Sequence, residues 1–141
     1  MLLYETHFVS LVTVDRTPLL LEAPELFYAS WETVRPVAWV LMPDHFHAVL
    51  YPSPFSVYDL LQQFMIRYAR AVRERIGHGR IWSDRIRDQA VRTGTELSRC
   101  IDFIHFDPVR HGLTDAAWKH RHSSFPIWVA KRVYDLEWRL K

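Results

Sequence analysis

Apolar positions recur along this chain in short runs, and their period changes from run to run. The stretch His7 to Val14 (HFVSLVTV) is β-branched and partly alternating, which predicts a strand. Asp15-Arg16-Thr17-Pro18 reads as a turn, followed by the apolar triplet Leu19-Leu20-Leu21. Pro24 opens a predicted helix running to about Val34, because proline is tolerated in a first helical turn. Leu26, Phe27, Ser30, Trp31 and Val34 fall at its helical spacing, and Pro36 stops it. Val37 to Met42 predicts a second strand, Pro43-Asp44 a tight turn, and His45 to Tyr51 a third strand, the two paired as an antiparallel hairpin. Pro52-Ser53-Pro54 breaks the third strand.

A long helix follows from Ser56 or Val57 to about Ile76, with Leu60, Leu61, Phe64, Met65, Tyr68 and Val72 on one stripe. Gly77-His78-Gly79 ends it. Between Ile81 and Val91 the pattern carries an apolar anchor, Ile81-Trp82, and a short fourth strand near Gln89-Ala90-Val91. Thr95 caps a predicted helix from Glu96 to about Phe106, with Pro108 beyond its end and Gly112 closing the turn. From Trp118 onward the chain is aromatic and basic, with Ser123-Ser124 as a cap or turn. The order β-α-β-β-α-β-α predicts an α+β fold of ferredoxin-like or RRM-like type, an antiparallel sheet with helices on one face.

Composition adds bounds. The chain has 141 residues, of which 49% are hydrophobic, enough to fill one core. Residues 1–125 are expected to form a single domain and 126–141 a C-terminal extension. Met1-Leu2-Leu3-Tyr4-Glu5 lacks the pattern of a signal peptide, and the apolar runs are of strand length, so no membrane partner is expected. Cys100 is the one cysteine, which excludes an internal disulfide and a cysteine zinc knuckle. A cytoplasmic location is the corresponding expectation. The net charge is +2, but 15 of the 18 basic residues are arginine. Between Gln62 and Arg99 nine arginines stand against four acids. Arginine's planar fork suits phosphate. Arg67, Arg70 and Arg73 on the long helix fit a DNA track, with a solvated helix face as the equal alternative.

The residues with chemistry begin at His45-Phe46-His47. On a strand both imidazoles project from one face and Phe46 from the other, so the pair can share one divalent ion. His-X-His alone is common, and two half-exposed strand histidines explain it as well. A second patch runs from Cys100 to Leu113, where Phe103 and Asp107 are four apart and share a helical face.

Taken together these segments resemble a known family. Met42-Pro43-Asp44-His45-Phe46-His47 resembles the HUH motif of single-tyrosine transposases, and the REP-associated tyrosine transposases in particular. Ile81 to Arg92 resembles the stretch before that family's last helix. Phe103-Ile104-His105-Phe106-Asp107-Pro108-Val109-Arg110-His111-Gly112-Leu113 resembles its Tyr-Ile-His-x-Asn-Pro-Val-[Lys/Arg]-x-Gly-Leu motif, and Trp118 with Ser123-Ser124 resembles its tail. The resemblance covers roughly residues 4 to 125 in the family's order.

It implies an HUH motif on a central strand. It also implies one Mg²⁺ or Mn²⁺ held by His45, His47 and Asp107, and single-stranded or hairpin DNA as partner, bound by a monomer or homodimer. In the family a tyrosine attacks phosphorus, giving a 5′-phosphotyrosine and a free 3′-hydroxyl that allow cleavage and rejoining. Here Phe103 stands at that catalytic position and has no oxygen to attack with. Asp107 stands at the asparagine position, where a carboxylate still suits a hard cation. Three readings of Phe103 stay open: an inactive relative, a tyrosine changed to phenylalanine, or another nucleophile, with Tyr68 and Tyr134 as candidates. The function classes are therefore a DNA strand transferase, a non-catalytic DNA binder, and an RNA-binding module of similar topology. The last requires exposed aromatics on the central strands in place of the histidines.

Overall fold

The computed structural model describes residues 5–31, 36–51 and 56–140. In chain order the elements are β1 (Thr6–Thr13), α1 (Pro24–Ser30), β2 (Pro36–Leu41), β3 (His45–Leu50), α2 (Val57–Arg75), β4 (Trp82–Val91), α3 (Gly94–Arg110) and α4 (Phe125–Ala130). Single 3₁₀ turns lie at Val14–Arg16 and Ala117–Lys119. The four strands form one sheet in the order β2-β3-β1-β4, every neighbouring pair antiparallel. This is the ferredoxin-like arrangement, with β3 and β1 at the centre.

Period-two alternation sorts the strand side chains onto two cores. On one face Val9, Leu11, Phe46, Ala48 and Leu50 pack under α1 and α2. The α2 stripe of Leu61, Phe64, Met65, Tyr68 and Val72 is buried there as its spacing predicts. On the other face Phe8, Val40 and Val49 pack against Ile101 and Ile104 of α3 and Phe125 of α4. The α+β class, the antiparallel sheet and its helical cover are as expected, but helices stand on both faces. The reason lies in α3 and α4, whose apolar sides complete a second core that no single-sided arrangement could bury.

Three further boundaries differ from the pattern. The first helix ends at Ser30, short of Val34, whose neighbourhood at 32–35 is outside the described residues, as is the Pro52-Ser53-Pro54 break. Ser30 Oγ donates back to Leu26 O at 2.8 Å, and Arg67 captures the Ser30 carbonyl at 2.8 Å, which satisfies an end carbonyl of the helix. The fourth strand is ten residues long and starts at Trp82. Its charged middle, Asp84 to Asp88, hid it because β4 is an edge strand, where charge is tolerated and discourages further pairing. The last long helix starts earlier, capped by Thr93, whose hydroxyl accepts from Glu96 N at 3.1 Å, so Thr95 is not the cap. It also runs through Pro108 to Arg110, and Gly112 closes it at φ +72°.

Candidate metal centre

The two-residue turn Pro43-Asp44 joins β2 to β3, with Met42 N donating to His45 O at 2.9 Å. It sets the register that sends His45 and His47 toward α3 and Phe46 into the opposite core. α3 crosses that face and delivers Asp107, which is completely buried. His45 Nε2 lies 2.7 Å from Asp107 Oδ2, and His47 Nε2 lies 3.7 Å from the same oxygen. One ligand atom from each of His45, His47 and Asp107 lies within 4.8 Å of the other two. Two histidines from a strand and a carboxylate 62 residues beyond the first of them are thus brought to one point by the sheet and the helix laid across it.

The other ring nitrogens are held as well. His45 Nδ1–H donates to Asp44 Oδ1 at 2.7 Å, and His47 Nδ1 is hydrogen-bonded to Ser10 Oγ at 2.6 Å. Both rings are thereby oriented with Nε2 toward Asp107. Ser10 comes from β1, where it pairs in register with His47. A lone hydroxyl within the apolar run of a central strand was the signal for it, and the sequence pattern alone assigned it no role. Asp44 was likewise given none, although it lies inside the motif. His111 Nε2 stands 3.3 Å from Asp107 Oδ1, and Arg110 Nη2 stands 3.1 Å from it.

The electrostatics follow from this crowding. Burial alone would lower the His45 pKa, but hydrogen bonds to Asp107 and Asp44 outweigh it and hold the imidazole above its usual value. Burial drives His47 down to about 4, against the attraction of Asp107. Burial would raise Asp107, yet the hydrogen bond from His45 and the nearby His47 and His111 hold it below the usual carboxylate range. Two imidazole nitrogens and a buried carboxylate match the donor set of a borderline or hard divalent cation, so His45, His47 and Asp107 fit the ion that the motif implies.

Phe103 sits one turn before Asp107 on the same side of α3, 37% exposed. Its ring meets His47 edge-on at 5.4 Å, and the Arg110 guanidinium covers it at 3.9 Å. Neither alternative tyrosine reaches the cluster. Tyr68 is buried in the opposite core. Tyr134 is buried beside His105, its hydroxyl donating to Asp102 Oδ1 at 2.7 Å, and burial pushes its pKa up. His105 is fully buried between Ser124 Oγ and the Tyr134 hydroxyl and does not face the cluster. Arg67, Arg70 and Arg73 lie on α2, across the sheet from His45 and His47. Arg67 is tied to Ser30, while Arg70 and Arg73 are exposed. The aromatics of the central strands, Phe8 and Phe46, are 4% and 2% exposed, so they offer no stacking platform of the RNA-module kind.

No family model matches the chain. A REP-associated tyrosine transposase of Escherichia coli is 26% identical over 105 residues, covering 72% of this chain and 60% of its own length. A Haemophilus influenzae relative, a putative REP-associated tyrosine transposase by name, is 24% identical over 114 residues, covering 72% of this chain and 65% of its own length. The chain therefore spans less than two thirds of the curated relatives it matches. A solved structure of a REP-associated tyrosine transposase bound to a REP hairpin aligns over 100% of this chain and 90% of its own, with TM-score 0.87 at 21% identity. The sequence likeness is distant, and the fold is shared. Among the described residues no helix is long and apolar enough to cross a membrane.

Proposed function

We propose that this chain is a DNA-processing protein of the HUH single-tyrosine kind, acting on single-stranded hairpin DNA, with Mg²⁺ or Mn²⁺ held by His45, His47 and Asp107. The observation that carries this reading is the convergence of those three side chains from β3 and α3 onto one point. The likeness to a REP-associated tyrosine transposase solved in complex with a REP hairpin supports the choice of partner. A divalent ion bound there supplies Lewis-acid polarisation of a phosphate oxygen. His47, neutral through burial, offers an unprotonated nitrogen. Asp44 and Ser10 orient the rings of the two histidines. Arg110, stacked on Phe103 and bonded to Asp107, places a positive charge where a phosphate would sit between the helix and the histidines.

In the covalent step of this chemistry a tyrosine oxygen bonds to phosphorus, the P–O3′ bond breaks, and the 3′-oxygen leaves as a hydroxyl after taking a proton. Phe103 has no oxygen, so as written this chain binds and orients the strand without forming that bond. A purely binding role is the second reading, and Phe103 is the observation that favours it.

The test is a fluorescence-anisotropy comparison of hairpin, single-stranded and blunt duplex DNA with Mn²⁺ present. Hairpin or single-stranded DNA is expected to bind more tightly than duplex, with affinity falling as salt rises because phosphate contacts release counterions. Equal affinity for a blunt duplex would sink the reading.

A further inference from the structure

At the end of the sheet where β1 stops and β4 starts lie two clefts, of about 350 and 530 Å³. Both are bordered by Arg80, Ser83 and Asp84, so the two clefts adjoin along the start of β4 and are treated together as one groove. Its near end is linked to the histidine cluster only through Asp44. Arg16 lines the smaller cleft, and its Nη1 is 3.6 Å from Asp44 Oδ2, on the carboxylate that holds His45. Asp15 and Arg16 both adopt left-handed backbone angles, φ 52° and 55°, which non-glycine residues rarely do. Strain of this kind persists where the surrounding structure holds a side chain in place. The far end of the groove runs between α2 and β4, past Arg73, Gln62 and Tyr58.

Charge and exposure select an occupant. Arg16, Arg73, Arg80 and Arg85 border the groove against two acids, Asp15 and Asp84, a cationic balance that suits a polyanion. Arg80 is engaged by Asp84 at 2.7 Å. The Arg73 and Arg85 side chains are exposed, and each has no ionic partner among the described residues. The larger cleft also exposes Tyr58 and Ile66 along α2, 53% and 58% exposed. A duplex offers a protein groove mainly phosphates, its bases being stacked inside. An exposed aromatic ring among arginines suits unpaired bases, which stack on it while their phosphates meet the guanidinium groups.

We infer that this groove is a second nucleic-acid subsite, carrying single-stranded DNA that flanks a hairpin away from the metal centre. Its phosphates lie on Arg16, Arg73 and Arg85, and an unpaired base lies on Tyr58. The inference rests on the DNA-processing reading above and extends it around the sheet end to the face of α2. It also gives Arg73 a role that its distance from the histidines otherwise leaves open.

Anisotropy titrations with two labelled hairpins test it, one trimmed to the stem and loop and one carrying single-stranded tails. The proteins are the unaltered chain, Arg73→Gln with Arg85→Gln, and Tyr58→Ala. For the tailed hairpin the double variant should bind ~10-fold more weakly. Its slope of log affinity against log salt should be shallower by about 1.4, the value expected when two phosphates of a single strand are no longer neutralised. Tyr58→Ala should weaken the tailed hairpin with little change in that slope. The trimmed hairpin should bind all three proteins alike, and Mn²⁺ affinity by calorimetry should be the same in all three. Undiminished affinity of both variants for the tailed hairpin would overturn the subsite. So would an equal loss on both hairpins, which would make the arginines a diffuse field or a stem contact, and so would a drop in Mn²⁺ affinity. Failure of the underlying reading shows separately, in the unaltered chain alone, as no preference of the hairpins over a blunt duplex.

Discussion

One hydroxyl on β1 orients the ring of His47. Ser10 Oγ is hydrogen-bonded to Nδ1 at 2.6 Å, so its loss frees the ring to turn. Ser10→Ala is expected to weaken Mn²⁺ binding by about 10- to 100-fold, the usual effect of removing such a support. Calorimetry reads this directly, with His45→Ala plus His47→Ala as the zero baseline; an unchanged Ser10→Ala would remove Ser10 from the site. Phe103 is the other decisive residue. The unaltered chain should give no covalent adduct with labelled hairpin DNA and Mn²⁺ on a denaturing gel, because the ring facing His47 carries no oxygen. Phe103→Tyr is expected to produce the adduct, since position 103 already lies one turn from Asp107 on the cluster side of α3. An adduct from the unaltered chain would overturn the assignment of position 103, since Tyr68 and Tyr134 are both buried away from the cluster.

Among the elements, α3 serves both the site and the second core. Asp107 and Phe103 face β3, while Ile101, Ile104 and His105 pack inward. His105 lies fully buried between Ser124 and Tyr134, and burial lowers its pKa to about 3. The folded state therefore holds it neutral while the unfolded chain takes up a proton below pH ~6.5. Because the folded pKa is the lower one, this contribution to stability is complete above that pH and shrinks as pH falls toward the folded value. Between pH 7 and 5 the loss should be about 2 kcal/mol from this residue. Urea unfolding of the unaltered chain and of His105→Gln at both pH values checks it: the variant should lose less stability on acidification by about that amount. An identical pH response would mean that His105 is protonated in the fold.

At the scale of the whole molecule, the sequence pattern sets residues 126–141 apart as an extension, yet Tyr134 is 6% exposed and stacks on Phe125 at 5.2 Å. Trp138 lies 4.4 Å from Tyr134, and Arg139 bonds the Asp115 carbonyl at 3.1 Å. Truncation after Ala130 removes these interactions and uncovers His105 and Phe125. It is expected to lower stability by about 3 kcal/mol or more, the scale of losing a large buried aromatic side chain. A urea midpoint within error of the full chain would show that the segment only rests on the surface.

The amino-acid pattern by itself determined the local outcomes. Period two put His45 and His47 on one face of a strand, period 3.6 put Phe103 and Asp107 on one side of a helix, and Pro43-Asp44 turned the hairpin. Such features depend on neighbours within a few residues, so they are legible without the fold. The pattern missed most of β4, because an edge strand with charged side chains has no apolar alternation to betray it. It also put every helix on one face, because periodicity says that a helix has an apolar side and does not say which sheet face that side covers. Only the tertiary structure decided what lies across the sheet. It laid α3 over β3, which joined Asp107 to His45, 62 residues earlier, and it brought Ser10 beside His47. It also placed Arg67, Arg70 and Arg73 on the opposite face. Pairings over that length depend on strand order and on which core each helix completes, and neither is written in any short stretch of chain.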